Sequence, residues 1–344
     1  MQIYYYLLWI QWLLIVVTSA SDTVICVMDE TMVPFQFKSR KTNVVALADE
    51  HKDAITQNAD PAATKTSMSL IGTICNRADL QPHLPQILLP KGKKSSDSDS
   101  VASSWGRNMP EPPAPVQVWK EFSGWMTGAS MKKYLQTLKA AIHSKAPGLT
   151  IVLVVDAAPA HMTMDVLRYA ARSFGYCVIL PGNLGWLLDI LDSKVYGPYK
   201  QYLFNEIVKK KVASAGGTMA KPEWARVVYE SIDAFFARKT YVEEFPRHGL
   251  STDLSVLRPH IQMRLGNTVM ERPRKLTQDE LNVVLGMKRD IHRLLFQGRR
   301  FDHLDELGRL RSPPSSSSSA PVRPIPRASR LAPLARVRAG VGRP

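Results

Sequence analysis

The sequence predicts a mixed α/β fold, a sheet flanked by helices, on three observations. Short β-branched runs recur between residues 23 and 181, among them "TVICVM", "SMSLIGTIC", "IVLVV" and "YCVILP". Ser130 to His143 instead carries apolar residues at 131, 134, 135, 138, 141 and 142, the i, i+3, i+4, i+7 stripe of an amphipathic helix. From that helix onward strands and helices alternate, whereas the opening run is strands alone. This order suits a mixed sheet with helices packed on it, not a doubly wound βαβ repeat.

Met1 to Ser21, "MQIYYYLLWIQWLLIVVTSAS", has no charged side chain. It reads as a hydrophobic leader: a signal peptide ending at "TSA", a short membrane span, or a truncation product. No Lys or Arg precedes the apolar run, which counts against a signal; Gln2, Gln11 and three tyrosines count against a span. Thr23 to Met28 predicts the first strand, ending at Asp29 and Glu30. Residues 41–47, 67–75 and 84–90 predict three more. Residues 91–115, with "KGKKSSDSDS" and "PEPPAP", predict a mobile loop. After the 130–143 helix come a strand ending at Asp156, a helix near 162–174, a strand over 176–181, and helices over 195–213, 222–238 and 277–296. From Arg311 the chain is low complexity, "RSPPSSSSSAPVRPIPR", and is expected to be disordered. The expected organisation is therefore a leader (1–21), an α/β core (22–212), a helical C-terminal extension (213–308) and a disordered basic tail (309–344).

The formal charge is +15 over 344 residues, and eight arginines with no acidic residue fall in the last 36. Such a balance suits a polyanionic partner, and the tail is expected to add salt-sensitive, sequence-independent affinity. The three cysteines have no CxxC spacing and the eight histidines no metal-ligand run, which argues against a disulfide framework and a zinc knuckle.

In "IVLVVDAAPAH" five apolar residues run into Asp156. On its own this reads as a strand end with a solvated Asp opening a turn. Two other segments also lead to acidic residues: "VICVMDE" to Asp29, and "LPGNLGWLLDILDSKVYGPYK" to Asp189 and Asp192. Adjacent strands can hold two carboxylates side by side, and a helix or loop can add a third. Hard cations such as Mg²⁺ or Mn²⁺ seek such close-set oxygen ligands. Two of them about 3.5–4 Å apart activate an attacking water or 3′-hydroxyl and stabilise the leaving oxygen of a phosphodiester.

These segments resemble the motifs of the DDE-1 group of transposase-derived endonucleases, the pogo, Tigger and centromere-protein-B-like relatives in the Tc1/mariner class. "VMDETMV" is similar to the family's first motif, "VVDAAPAH" to its D-N-A-P-x-H, and "LPGNLGWLLDILDSKVYGPYK" to P-x-N-x-T followed by Q-P-L-D and G-P-x-K. "SGWMTGASMKKYLQTL" and "EEFPRHGL" resemble two further landmarks, so five motifs in order span roughly 22–255. Thirty-five residues separate Asp156 from Asp192, within the family's spacing class.

The resemblance implies a ribonuclease-H-like fold, a DNA partner and two Mg²⁺ or Mn²⁺ ions, with no small-molecule cofactor. Asp29 and Asp156 would be the strand carboxylates and Asp192 the third ligand, with Asp189 competing because i and i+3 share a helix face. His161 and Asn183 match positions that would support the metal site or contact DNA; otherwise they read as a helix-start and a turn residue. A nuclear location would follow from the family, with a membrane or secretory one through 1–21 as the alternative, and a homo-oligomer stays open. The chain departs from the pattern at Ala157, where an Asn is usual, at Asp189 for Gln, at Ile190 for Pro, and in lacking threonines near Asn183. No helix-turn-helix module precedes Asp29, so a full transposition cycle is not expected from this chain alone. Three functions stay open: an endonuclease core, a non-catalytic nucleic-acid-binding protein, and a membrane-anchored relic.

Overall fold

The computed structural model describes residues 2–34, 67–90, 109–119, 121, 124–182, 184–214, 219–268 and 270–285. The β-branched runs form one six-stranded sheet of β1 (Thr23–Pro34), β2 (Ser67–Cys75), β3 (Gln86–Pro90), β4 (Val116–Val118), β5 (Thr150–Val155) and β6 (Tyr176–Ile179). The order across the sheet is β4-β3-β2-β1-β5-β6. β1, β2 and β3 make an antiparallel meander; β5 joins the other side of β1 in parallel, and β6 joins β5 in parallel. This is the mixed sheet that the sequence predicts, consistent with the ribonuclease-H-like fold that the resemblance implies, with β4 added in parallel beside β3 as a short edge. β5 is buried at five of its six positions and β3 at all five, as strands covered on both faces must be.

Helices cover the sheet: α2 (Gly128–Lys145), α3 (Met164–Tyr169), α4 (Gly185–Leu188), α5 (Tyr196–Ala213) and α6 (Lys221–Ile232). α2 buries Met131, Tyr134, Leu135, Leu138 and Ile142, the stripe read from the sequence. It begins two residues earlier than that reading, because Thr127 caps it and Ser130 returns the bond to the Thr127 amide, a reciprocal capping box. β1 runs on past Asp29 to Pro34, because its antiparallel ladder with β2 continues after the parallel ladder with β5 has stopped at Val27–Val154. The helix expected near 162–174 is split, with α3 giving way at Ala170 to a wide turn through Phe174. β4 carries no pattern longer than three residues and goes unseen in the sequence. The expected strand over 41–47, most of the loop at 91–115 and the tail from 309 lie outside the described residues.

The apolar N-terminal segment forms α1 (Gln2–Ala20), long and apolar enough by composition to cross a membrane, and here packed as a core helix. Tyr6, Leu7, Leu8, Ile10 and Leu13 are fully buried. The short α7 (Glu244–Arg247) leads into a turn at Gly249, and α8 (Pro259–Leu265) and α9 (Gln278–Leu285) follow. α1 packs against α8 and α9. The Leu7 side chain lies against Gly249, whose φ of +79° and lack of a Cβ permit that approach. The Gln2 and Gln11 amides donate to the carbonyls of Val284 and Thr252 at 3.0 and 3.2 Å. The two glutamines that looked out of place in a leader thus tether the helix to the C-terminal segments. The turn that follows α6 reaches the connection between β2 and β3, where the Gln81 amide donates to the Phe236 carbonyl at 2.7 Å.

Candidate active site

Parallel strands leave a crevice beyond their C-terminal ends, where the ladder stops and the chains diverge. The last β1–β5 pair is Val27 with Val154, and Asp29 and Asp156 each stand two residues further on. With a period of two they follow the same face as that pair. Asp29 is still held in β1, opposite Gly72 on β2. A side chain at 72 would collide with Phe236 and with the Tyr196 hydroxyl, at 2.8 Å each. That space lets Tyr196 donate to the Asp29 carbonyl and fix this part of the strand.

The third wall is the segment 180–192. Leu180 donates to the Val155 carbonyl at 2.8 Å, so the chain leaving β6 stays beside β5 before α4 turns it back. Asp189 follows α4 and is 1% exposed. Its Oδ1 accepts from the Leu191 amide at 2.7 Å, so Asp189 caps the turn that presents Asp192. Asp29, Asp156, Ala157, Gly185, Asp189 and Asp192 line one cavity of about 250 Å³. The topology therefore brings together all four candidate carboxylates read from the sequence, from three segments far apart in the chain. Asn183 lies outside the described residues.

The four carboxylates are not equivalent. Asp156 Oδ1 sits 2.7 Å from His161 Nδ1 and accepts from the Ala158 amide at 3.2 Å. His161 is buried, and its Nε2 lies 3.7 Å from Glu30 Oε1, an ion-pair distance too long for a hydrogen bond. Glu30 in turn accepts from the Met126 amide at 3.3 Å, tying the loop before α2 to this wall. Burial works against a charge on His161, but the two carboxylates outweigh it and push its pKa up to about 9. Burial likewise opposes ionisation of Asp156, and the imidazolium more than offsets it, holding the carboxyl below its ordinary value. Asp29 and Asp189 go the other way. Burial raises both pKa values, and repulsion from neighbouring aspartates adds to the effect.

Glu30 is the residue that sequence reading underrates, as a mere strand end. Its only signal there is adjacency to Asp29, since nothing local shows that a histidine so much later in the chain would face it. Among the described residues no group of three or more His, Cys, Asp or Glu side chains is placed to hold a metal ion. The donor chemistry still fits a hard divalent cation: oxygen donors line one cavity, and two of them repel each other in a way that a cation relieves.

No curated protein and no solved structure matches the chain. Residues 69–231 match the family model of the DDE superfamily endonucleases, a stretch that holds Asp156, Asp189 and Asp192 and leaves Asp29 on its N-terminal side.

Proposed function

We propose that the chain is a transposase-derived DDE endonuclease core, of the pogo, Tigger and centromere-protein-B-like kind, that binds DNA and cleaves its phosphodiesters in the nucleus. The observation that carries this reading is the meeting of Asp29 and Asp156 beyond one parallel ladder, closed by Asp189 and Asp192. Asp29, Asp156 and Asp192 would hold two Mg²⁺ or Mn²⁺ ions. Such ions, when bound, activate an attacking water or 3′-hydroxyl and stabilise the leaving oxygen. The chain's own residues prepare the site. His161 keeps Asp156 ionised and aimed, and Asp189 orders the turn that carries Asp192. Lys200 is half-buried; burial lowers its pKa while Asp192 and Asp29 work to raise it, so a cation stands beside this wall.

A second reading, a DNA-binding protein without efficient cleavage, rests on Ala157. It lines the cavity where the family pattern has an amide side chain. The test is Mg²⁺- or Mn²⁺-dependent nicking of supercoiled DNA by the full chain, since α1 is part of the core, with Asp156→Ala as control. Nicking that the control lacks supports the endonuclease; DNA binding with no nicking above the control supports the second reading.

A further inference from the structure

The short helix that lends Gly185 to the acidic cavity also carries a large aromatic side chain that the cleavage chemistry leaves unused. Trp186 is 56% exposed on α4, one residue after Gly185, which lines the cavity. The Gly185 position abuts the carboxylate wall, for a Cβ there would stand 3.5 Å from Asp192 Oδ2. On its other side α4 packs against α8, and the Arg264 guanidinium lies over the Trp186 ring, 5.8 Å from its centroid. A cation at that distance interacts with an indole face. The pairing puts an aromatic ring and a phosphate-seeking charge side by side, one residue along the chain from the cavity-lining Gly185.

We propose that Trp186 and Arg264 form a stacking platform for an unpaired nucleobase of the DNA strand whose phosphate enters the cavity. This rests on the endonuclease reading and adds a binding residue to it. The charge pattern selects the occupant. Anionic phosphates suit the Arg264 guanidinium, while the carboxylate wall repels them unless a divalent cation intervenes. A base inside a duplex hides its faces in the stack; an overhanging or flipped base offers one to an aromatic ring. The platform thus favours DNA that is frayed or single-stranded beside the scissile phosphate.

The test uses the full chain with Ca²⁺ in place of Mg²⁺, a hard divalent cation that the same oxygen ligands accept, and checks that the probe stays uncut, so that binding is read on intact DNA. The probes are a blunt duplex and the same duplex with a short overhang containing 2-aminopurine. Binding should quench the overhang's fluorescence. Trp186→Ala should abolish the quench and weaken overhang binding roughly 5- to 100-fold, the scale of one base–aromatic stack. Trp186→Phe should keep most of both, and blunt-duplex affinity should change by less than about twofold, since phosphate contacts supply it. Overhang binding unchanged in Trp186→Ala overturns the platform and leaves the DNA reading standing. A change of oligomeric state in that variant, with overhang binding unchanged, also overturns it and marks a contact between copies. No binding to either probe overturns both readings.

Discussion

On the Asp156 side of the cavity a carboxylate is met by a charged partner, with His161 2.7 Å away and Glu30 completing the row. On the other side Asp29 and Asp189, both buried, repel neighbouring aspartates with only the half-buried Lys200 as a nearby cation, and their ionisation is disfavoured by burial and by one another. The first side is satisfied as it stands. The second is satisfied only by protons or by a cation beyond Lys200, which leaves both pKa values raised. The contrast separates stability from activity, since the groups that cost most in the metal-free protein are the ones a metal would need.

The largest effect expected is on cleavage, and it should strike both sides alike while stability parts them. Asp29→Asn and Asp156→Asn should each lower metal-dependent nicking by on the order of 10³-fold, the several kcal/mol that a correctly held metal supplies. In metal-free buffer at neutral pH, Asp29→Asn should raise the melting temperature because it removes an uncompensated buried acid. Asp156→Asn should lower it by breaking the His161 pair. Melting shifts of the same sign would mean that the two walls are not electrostatically distinct.

Next in size is His161→Gln. It leaves Asp156 and Glu30 facing each other without the imidazolium. Nicking should fall roughly 10–100-fold, the usual cost of losing a group that orients a metal ligand. Stability should fall by only about 1–2 kcal/mol, because the Asp156 side chain is 42% exposed and water screens the pair. A loss of cleavage as deep as that of Asp156→Asn would make His161 more than a positioning residue.

The frame of the sheet was legible in the sequence because β-branched runs announce buried strands, and the stripe over 131–142 announces α2. The carboxylates were legible as strand ends and motif positions. Their division into two unlike walls was not. It depends on Glu30 meeting His161 across the fold, and on Asp189 turning inward to cap the Leu191 amide. Likewise, α1 reads as a leader because its own composition carries no sign of what covers it. Partners that bury it come from far along the chain, among them the Gly249 turn, α8 and α9.

A smaller effect tests the contrast through pH. The folded chain holds protons on Asp29 and Asp189 above the ordinary value of 3.8, where the unfolded chain has released them. Metal-free stability should therefore fall as pH rises from 3.8 into the alkaline range. His161 acts in the same direction: its contribution is complete below 6.5 and is lost as pH rises through about 9. Asp156 is opposite, contributing above 3.8 and losing its contribution as pH falls through its lowered value. Added Mg²⁺ or Mn²⁺ binds the ionised carboxylates, so the rise in melting temperature that it causes should grow from about pH 6 to about pH 9. A metal-induced shift independent of pH would count against the carboxylates as its ligands.

The smallest effect decides what Asp189 is. One of its oxygens caps the Leu191 amide, and its charge adds to the repulsion on Asp29. Asp189→Asn keeps an acceptor for that amide, since Asn caps as well as Asp, and removes only the charge. The metal-free protein should gain on the order of 1 kcal/mol at about pH 8, about one unit of pKa shift relieved, and its pH dependence should flatten. Nicking should stay within about threefold of the parent if Asp189 serves as cap and Asp192 as ligand, because no metal bond is lost. Asp192→Asn should then behave in reverse, losing nicking with little change in melting temperature, since Asp192 is exposed. If instead Asp189→Asn abolishes nicking and Asp192→Asn spares it, the buried aspartate is the ligand. The uncompensated wall would then owe its repulsion to two metal ligands held in one cavity, with no surplus charge between them.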